Sequence, residues 1–245
     1  MTRLLVLLPL LFCFASPAAK AQRAAVPTDS SAANAPLQKA ISLYHHAIGN
    51  QAGIYSGTEY VDYRYQTEGH PYFKSQHWGE GTVVYDGMQY SKMLMLYDIV
   101  NEAVVVAQLD HAESLSNKIK VDLDRVEHFS LQGHHFVRLE QDSAAMTMPA
   151  GFYDLLYAGN TRVVAKRQKS TKKEVGLLVY KQEDKHYIFR NRQYHQVKSK
   201  ASVLKVLREH RKELARAIRE NNISFKDNRE QAIVWVAAHY DTLRH

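Results

Sequence analysis

Hydrophobic positions along this chain change their period three times. Leu4 to Ala15 (LLVLLPLLFCFA) is a continuous apolar run that follows Arg3. It is too short to span a bilayer as a helix. After Pro36, Leu37, Ile41, Tyr44 and Ile48 recur every three to four residues, which predicts a helix closed by Gly49-Asn50. From Ile54 to about Val197 the helical period gives way to short strand-like runs separated by turn residues.

Asp86-Gly87 predicts a hairpin between Thr82–Tyr85 and Met88–Tyr97, because this pair tolerates the positive φ of a tight turn. Asn101-Glu102 turns the chain again into Ala103–Gln108. Gln132-Gly133 predicts a hairpin that sets Phe129 opposite Phe136. Gly159-Asn160 predicts another, between Phe152–Ala158 and Thr161–Lys169. Val175–Lys181, Tyr187–Arg190 and Tyr194–Val197 complete the strand region. The connections are too short for crossover helices, so the sheet is expected to be antiparallel. Met93 to Tyr97 is apolar at every position, which predicts cover on both faces there.

The C-terminal part returns to a helical period. Ser199 or Ser202 caps a helix whose stripe is Val203, Leu204, Leu207, Leu214 and Ile218, with a break near His210-Arg211. Asp227-Asn228-Arg229-Glu230 has capping-box spacing and opens a last helix with Ile233, Val236, Ala237, Tyr240 and Leu243 on one face. The expected fold class is α+β: a large, curved antiparallel β-sheet with an N-terminal helix and C-terminal helices packed on it. Residues 36–245 read as a single α+β domain.

Composition changes this picture at the N-terminus. The chain has 245 residues, 45% of them hydrophobic, and a single cysteine. That excludes a disordered tail and a disulfide-stapled mini-domain. The apolar run after Arg3 ends at Ser16-Pro17, and Ala19-Lys20-Ala21 is a small-x-small cleavage signal. Residues 1–21 are therefore expected to be a secretory signal peptide, cleaved after Ala21. Residues 22–35, rich in Ala, Ser, Thr and Pro, read as a flexible leader. Cys13 follows the bulky Phe12 inside the run, which does not suit a lipid-attachment site. A chain cut after Ala21 is cysteine-free, which removes thiolate catalysis and thiolate metal sites. It has no transmembrane segment, and a periplasmic or secreted location follows.

Charge is unevenly placed. The formal charge of +7 covers a reversal along the chain. Residues 22–159 hold 9 Lys and Arg against 16 Asp and Glu. Residues 160–245 hold 21 against 9. Lys205, Arg208, Lys212, Arg216 and Arg219 fall at three- and four-residue intervals, which predicts one basic helix face. Such a face suits an anionic envelope component or an acidic protein. Nucleic acid does not fit an exported chain.

Local chemistry is sparse. There is no H-E-x-x-H among the 13 histidines. His134 and His135 are adjacent in a predicted strand and should point to opposite faces, and His45-His46 diverge on a helix. G-x-S-x-G, G-x-G-x-x-G and the phosphate-binding loop are missing, so no cofactor is expected. Glu59, Asp62, Asp86, Asp98 and Asp154 leave a carboxylate-based hydrolase as one reading, which needs two acids facing each other across a cleft. Tyr55, Tyr60, Tyr63, Tyr65 and Tyr72 crowd one segment near Trp78, for packing or for stacking on a ligand. Asp142-Ser143-Ala144 and Asn222-Ile223-Ser224 match short glycosylation signals.

Several longer strings carry a resemblance. They include Ile54-Tyr55-Ser56-Gly57-Thr58-Glu59-Tyr60-Val61-Asp62-Tyr63, Gly69-His70-Pro71-Tyr72-Phe73 and Leu96-Tyr97-Asp98-Ile99. Gly151-Phe152-Tyr153, Ile223-Ser224-Phe225-Lys226 and Ala238-His239-Tyr240-Asp241 extend it. The chain resembles an uncharacterised family of exported Bacteroidota proteins over most of residues 36–245. The resemblance implies export and brings no activity or ligand. In architecture alone the predicted order is similar to the curved-sheet lipoprotein carriers of the bacterial periplasm. The leading expectation is a non-enzymatic cell-envelope protein that binds a ligand or partner. The alternatives are a periplasmic lipid or lipoprotein carrier and the carboxylate hydrolase.

Overall fold

In the computed structural model, Asp86 and Gly87 take φ of 51° and 72°, the left-handed pair that a two-residue hairpin turn requires. Gln132 and Gly133 repeat it at 52° and 78°. Phe129 stands opposite Phe136 as the turn predicts. The structure describes residues 39, 53–63, 67–109, 115–140, 148–174 and 176–243. The chain divides into two units, Met1–Tyr44 and His45–His245. In the first, only the exposed helical Lys39 is described. The expected signal peptide, the expected leader and the rest of the helix predicted after Pro36 lie outside the described residues, as do Tyr65 and Asp142-Ser143-Ala144.

The strands of the second unit begin with β1 (Thr58–Glu59), β2 (Thr67–Glu68), β3 (Gly79–Tyr85), β4 (Met88–Asp98), β5 (Ala103–Leu109), β6 (Leu115–Lys120) and β7 (Val126–Leu131). They continue as β8 (His134–Leu139), β9 (Gly151–Ala158), β10 (Arg162–Lys166), β11 (Lys169–Glu174), β12 (Leu177–Gln182), β13 (Lys185–Arg190) and β14 (Gln193–Val197). Eleven of them form one sheet in the order β1-β6-β5-β4-β3-β7-β8-β9-β10-β13-β14. Every neighbouring pair in it is antiparallel. The sheet is open, with β1 and β14 at its edges. β11, β12 and β2 form a small second sheet. There β12 and β2 run parallel over two residue pairs. Bulges interrupt β3, β5 and β9–β10, and each bends the sheet locally.

Alternation assigns side chains to two faces. Met95, Tyr97, Val104, Val106, Phe129 and Phe136 share one apolar cluster. Farther along the same face, Val163 and Ile188 join the cluster under the helices. Leu96, Ala103 and Val105 pack on the opposite face with Tyr60 and Tyr72. Cover on both faces therefore holds for Met95–Tyr97. It does not extend to Leu94, which is 37% exposed.

The structure revises the predicted strand Thr161–Lys169. β10 ends at Lys166, and Lys169 opens β11 in the second sheet. The physical cause is Arg167, whose guanidinium is drawn into a buried cluster of carboxylates, so the chain turns away there. The turn before Thr161 is also longer than predicted, since Ala158 pairs with Arg162. Thr161 donates to Asp241 from its backbone N–H (2.9 Å) and its hydroxyl (2.6 Å). This ties the β9–β10 turn to the end of the last helix. A Cβ at Gly159 would collide with the Tyr157 hydroxyl and the Asp241 carboxylate, so a larger residue there would have to displace this pair.

The α-helices among the described residues of the second unit are α1 (Lys200–Val206), α2 (Arg211–Glu220) and α3 (Arg229–Thr242). Ser199 and Ser202 cap α1 reciprocally. The predicted break is a single 3-10 turn, Arg208–His210. α1 packs on β13 and β14, and α3 packs on β9 and β10. α2 rests chiefly on α1 and α3, so it forms an outer tier over the sheet. The start of α3 differs by one residue from the predicted capping box. Asn228, not Asp227, is the cap and accepts from the Gln231 N–H at 3.1 Å. Glu230 does not return to cap the backbone, because Arg167 and His186 hold its carboxylate.

Candidate functional site

The basic residues singled out in the sequence all reach the surface of the helical layer. Lys205 lies on α1, Arg208 in the 3-10 turn, and Lys212, Arg216 and Arg219 on α2; all five are exposed. They do not form one helix face, because the 3-10 turn separates α1 from α2. Lys212, Arg216 and Arg219, spaced by four and three residues, do share a face of α2. Arg211 adds a further exposed cation.

Two of the exposed acids nearby, Glu209 and Glu220, are committed. Arg216 donates to Glu220 at 2.6 Å. Glu209 is held by Arg190 and by the Tyr240 hydroxyl. α2 buries Leu214, Ala217 and Ile218 inward, so its polar side faces out. From Lys198 to Thr242, nine exposed Lys and Arg stand against four exposed Asp and Glu.

A second constellation was not anticipated. Asp154 on β9, Arg167 after β10 and Glu230 on α3 meet between sheet and helix. The Arg167 Nε donates to Asp154 at 2.8 Å. Its two terminal nitrogens form a fork on Glu230, at 2.7 and 3.0 Å. Asp184 takes a further bond at 2.8 Å. His134 Nδ1 lies 2.7 Å from Asp154, and His186 Nε2 lies 3.0 Å from Glu230. Asp154 is 1% exposed and Arg167 7%. Burial alone would push the Glu230 carboxyl up. The hydrogen bonds from His186 and Arg167, with the Arg167 charge, outweigh it and hold the group at about 2. A signal existed in the sequence: Asp154 interrupts the apolar Tyr153 and Leu155, and Arg167 stands two residues after the apolar Val163-Val164-Ala165.

This network joins α3 to the sheet and leaves Arg167 no free face for a substrate. It has a stability consequence. Glu230 has a lower pKa folded than the 4.5 of the free group. Its contribution is therefore complete above pH 4.5 and is lost as pH falls toward 2. We expect acid to cost the wild type on the order of 2 kcal/mol through this group, after screening at its partly exposed carboxylate. Urea midpoints across that range should fall more steeply for the wild type than for Glu230→Gln. Parallel curves would refute the assignment.

The tyrosine-rich segment has a comparable structural use. Tyr60 and Tyr63 each donate to the buried Asp98 carboxylate at 2.9 Å. The backbone N–H groups of Val100 and Asn101 donate to its other oxygen, at 2.9 and 3.1 Å. This closes the β4–β5 turn and anchors residues 60–63 to it. Tyr72 donates to Asp62, and its phenol is pushed up to about 12, first by burial. These phenols remain donors at neutral pH. Tyr55 packs on the helical-face cluster instead.

The adjacent histidines part as predicted: His134 meets Asp154, and His135 Nδ1 lies 3.0 Å from the Ser130 hydroxyl. Among the described residues no group of three or more His, Cys, Asp or Glu could hold a metal ion. No helix of the described residues is long and apolar enough to cross a membrane. Of the five acids considered for hydrolysis, Asp62, Asp86, Asp98 and Asp154 hold tyrosines, turns or cations, and Glu59 is exposed on edge strand β1. An open cleft of about 450 Å³ lies beside β1 and β6, lined by Ser56, Thr58, Lys120, Asp122 and Asp124 among others. It gathers no buried polar groups among the described residues. Compared with protein-family models, curated proteins and solved structures, the chain finds no match.

Proposed function

We propose that the protein is an exported, non-enzymatic binding protein of the cell envelope that takes an anionic partner on its basic helical layer. One observation carries the reading. The outermost element, α2, has a face of Lys212, Arg216 and Arg219 with Lys205, Arg208 and Arg211 beside it, and few acids remain uncommitted there. Concentrated charge of one sign attracts a partner of the other and orients its approach.

The sheet itself supports surface binding over internal carriage. A lipid held against the helical face needs apolar space there. Val83, Tyr97, Phe129 and Phe136 on that face are at most 1% exposed and are packed against Ile54, Phe73 and Leu123.

The test is retention of the chain on an immobilised soluble polyanion such as heparin. The wild type should bind at low salt and elute as salt rises. Changing Lys205, Arg208, Lys212, Arg216 and Arg219 to Gln should abolish retention at low salt. Equal elution of variant and wild type would overturn the proposal.

A further inference from the structure

We infer that the partner of the basic layer is an anionic lipid surface; this rests on the anionic-partner reading and names the partner. Three features of the layer favour a planar array of headgroups over a polymer strand. First, α2 lies on α1 and α3 and buries only Leu214, Ala217 and Ile218, so its cations project from the outer tier of the helical layer. Second, the cations are spread rather than convergent. Lys205, Arg208, Arg211, Lys212 and Arg219 are all exposed, and the buried Arg190 beneath them is engaged by Glu209 and the Val206 carbonyl. Spread cations gain most from a surface that offers many weak charges at once. Third, α3 carries Trp235 at the edge of the helical cluster, partly exposed and stacked on His239 with ring centroids 5.0 Å apart. A partly exposed tryptophan on the helix that packs against α2 suits the headgroup level of a bilayer, where its ring is half apolar and half wet.

The arrangement predicts a helix lying along the surface with its apolar side still in the protein. Leu214, Ala217 and Ile218 stay packed, so attachment is electrostatic and reversible. It should therefore weaken steeply with salt.

Vesicle co-sedimentation of the chain from Gln22 onward tests this. The probes are phosphatidylcholine vesicles, with or without phosphatidylglycerol, and soluble heparin. The expected result is binding to heparin and to the vesicles that contain phosphatidylglycerol, and none to phosphatidylcholine alone. Each cation near such a surface contributes about five-fold, so K212Q/R216Q/R219Q should bind on the order of 100-fold more weakly. The control K172Q/K181Q/K185Q removes equal charge from the β11–β12 hairpin and the start of β13, and should bind as the wild type does. Equal loss in both triple variants would overturn the inference. Heparin binding without vesicle binding would overturn it too, while leaving the anionic-partner reading intact. Failure to bind either probe would overturn both. Circular dichroism of each variant separates lost binding from lost fold.

Discussion

Arg167→Met is expected to destabilise the protein by about 3–5 kcal/mol, the cost of leaving a buried charge without its partner. Asp154 is 1% exposed and takes two bonds from the guanidinium, at 2.8 and 2.5 Å. Without Arg167 it is left to His134. Asp184 and Glu230 lose the same partner, and with it the fork that holds the first turn of α3 to the sheet. Arg167→Lys should recover little, because an ammonium cannot make the two-pronged contact. Adding Asp154→Asn to Arg167→Met should cost less than the sum of the single changes, since the groups act as one unit. Urea unfolding reads all three. An Arg167→Met midpoint equal to the wild type would mean the network is solvated and contributes nothing.

Phe136→Ala should cost a similar amount, about 3–5 kcal/mol, by a different route. Phe136 has no exposed surface. It stacks on Phe129 at 4.6 Å and meets Phe73 and Tyr97 edge-on at 5.2 and 5.0 Å. These neighbours come from β7, β4 and the loop before β3, so none can follow the missing ring without moving its strand. The cavity would remain largely open. Leu94→Ala is the control: it lies 37% exposed on the opposite face of β4, and should change stability by under about 0.5 kcal/mol. Comparable losses in the two variants would show that the aromatic cluster is not the centre of the core.

Much of this architecture was legible in the chain because turns carry local chemistry. Asp86-Gly87 and Gln132-Gly133 need no tertiary context to favour positive φ, so their hairpins and the Phe129–Phe136 pair follow from neighbouring residues. The stripe on Val203, Leu204, Leu207, Leu214 and Ile218, with its break, likewise appears as α1, a 3-10 turn and α2. The departures share one cause. β10 stops at Lys166, and the α3 cap shifts from Asp227 to Asn228, because Arg167 and Glu230 find each other across 63 residues. A local pattern cannot report such a partner. The parallel pairing of β2 with β12 is hidden for the same reason.

The site was legible in composition but not in shape. The five basic residues were visible as spacing. Their division between two helices and a turn was not, and neither was the outer position of α2, which depends on how three helices stack. The tyrosine cluster read as a choice between packing and ligand stacking. The Asp98 carboxylate, 35 and 38 residues away from two of the phenols, gives those phenols a structural partner.

Whether an anionic partner sits on the helical layer is decided by amide chemical-shift mapping during titration with a soluble polyanion. The expected shifts concentrate in residues 205–219, saturate with added ligand and fade as salt is raised. Shifts confined to the cleft at Ser56, Thr58 and Asp124, or the absence of any saturable change, would contradict it.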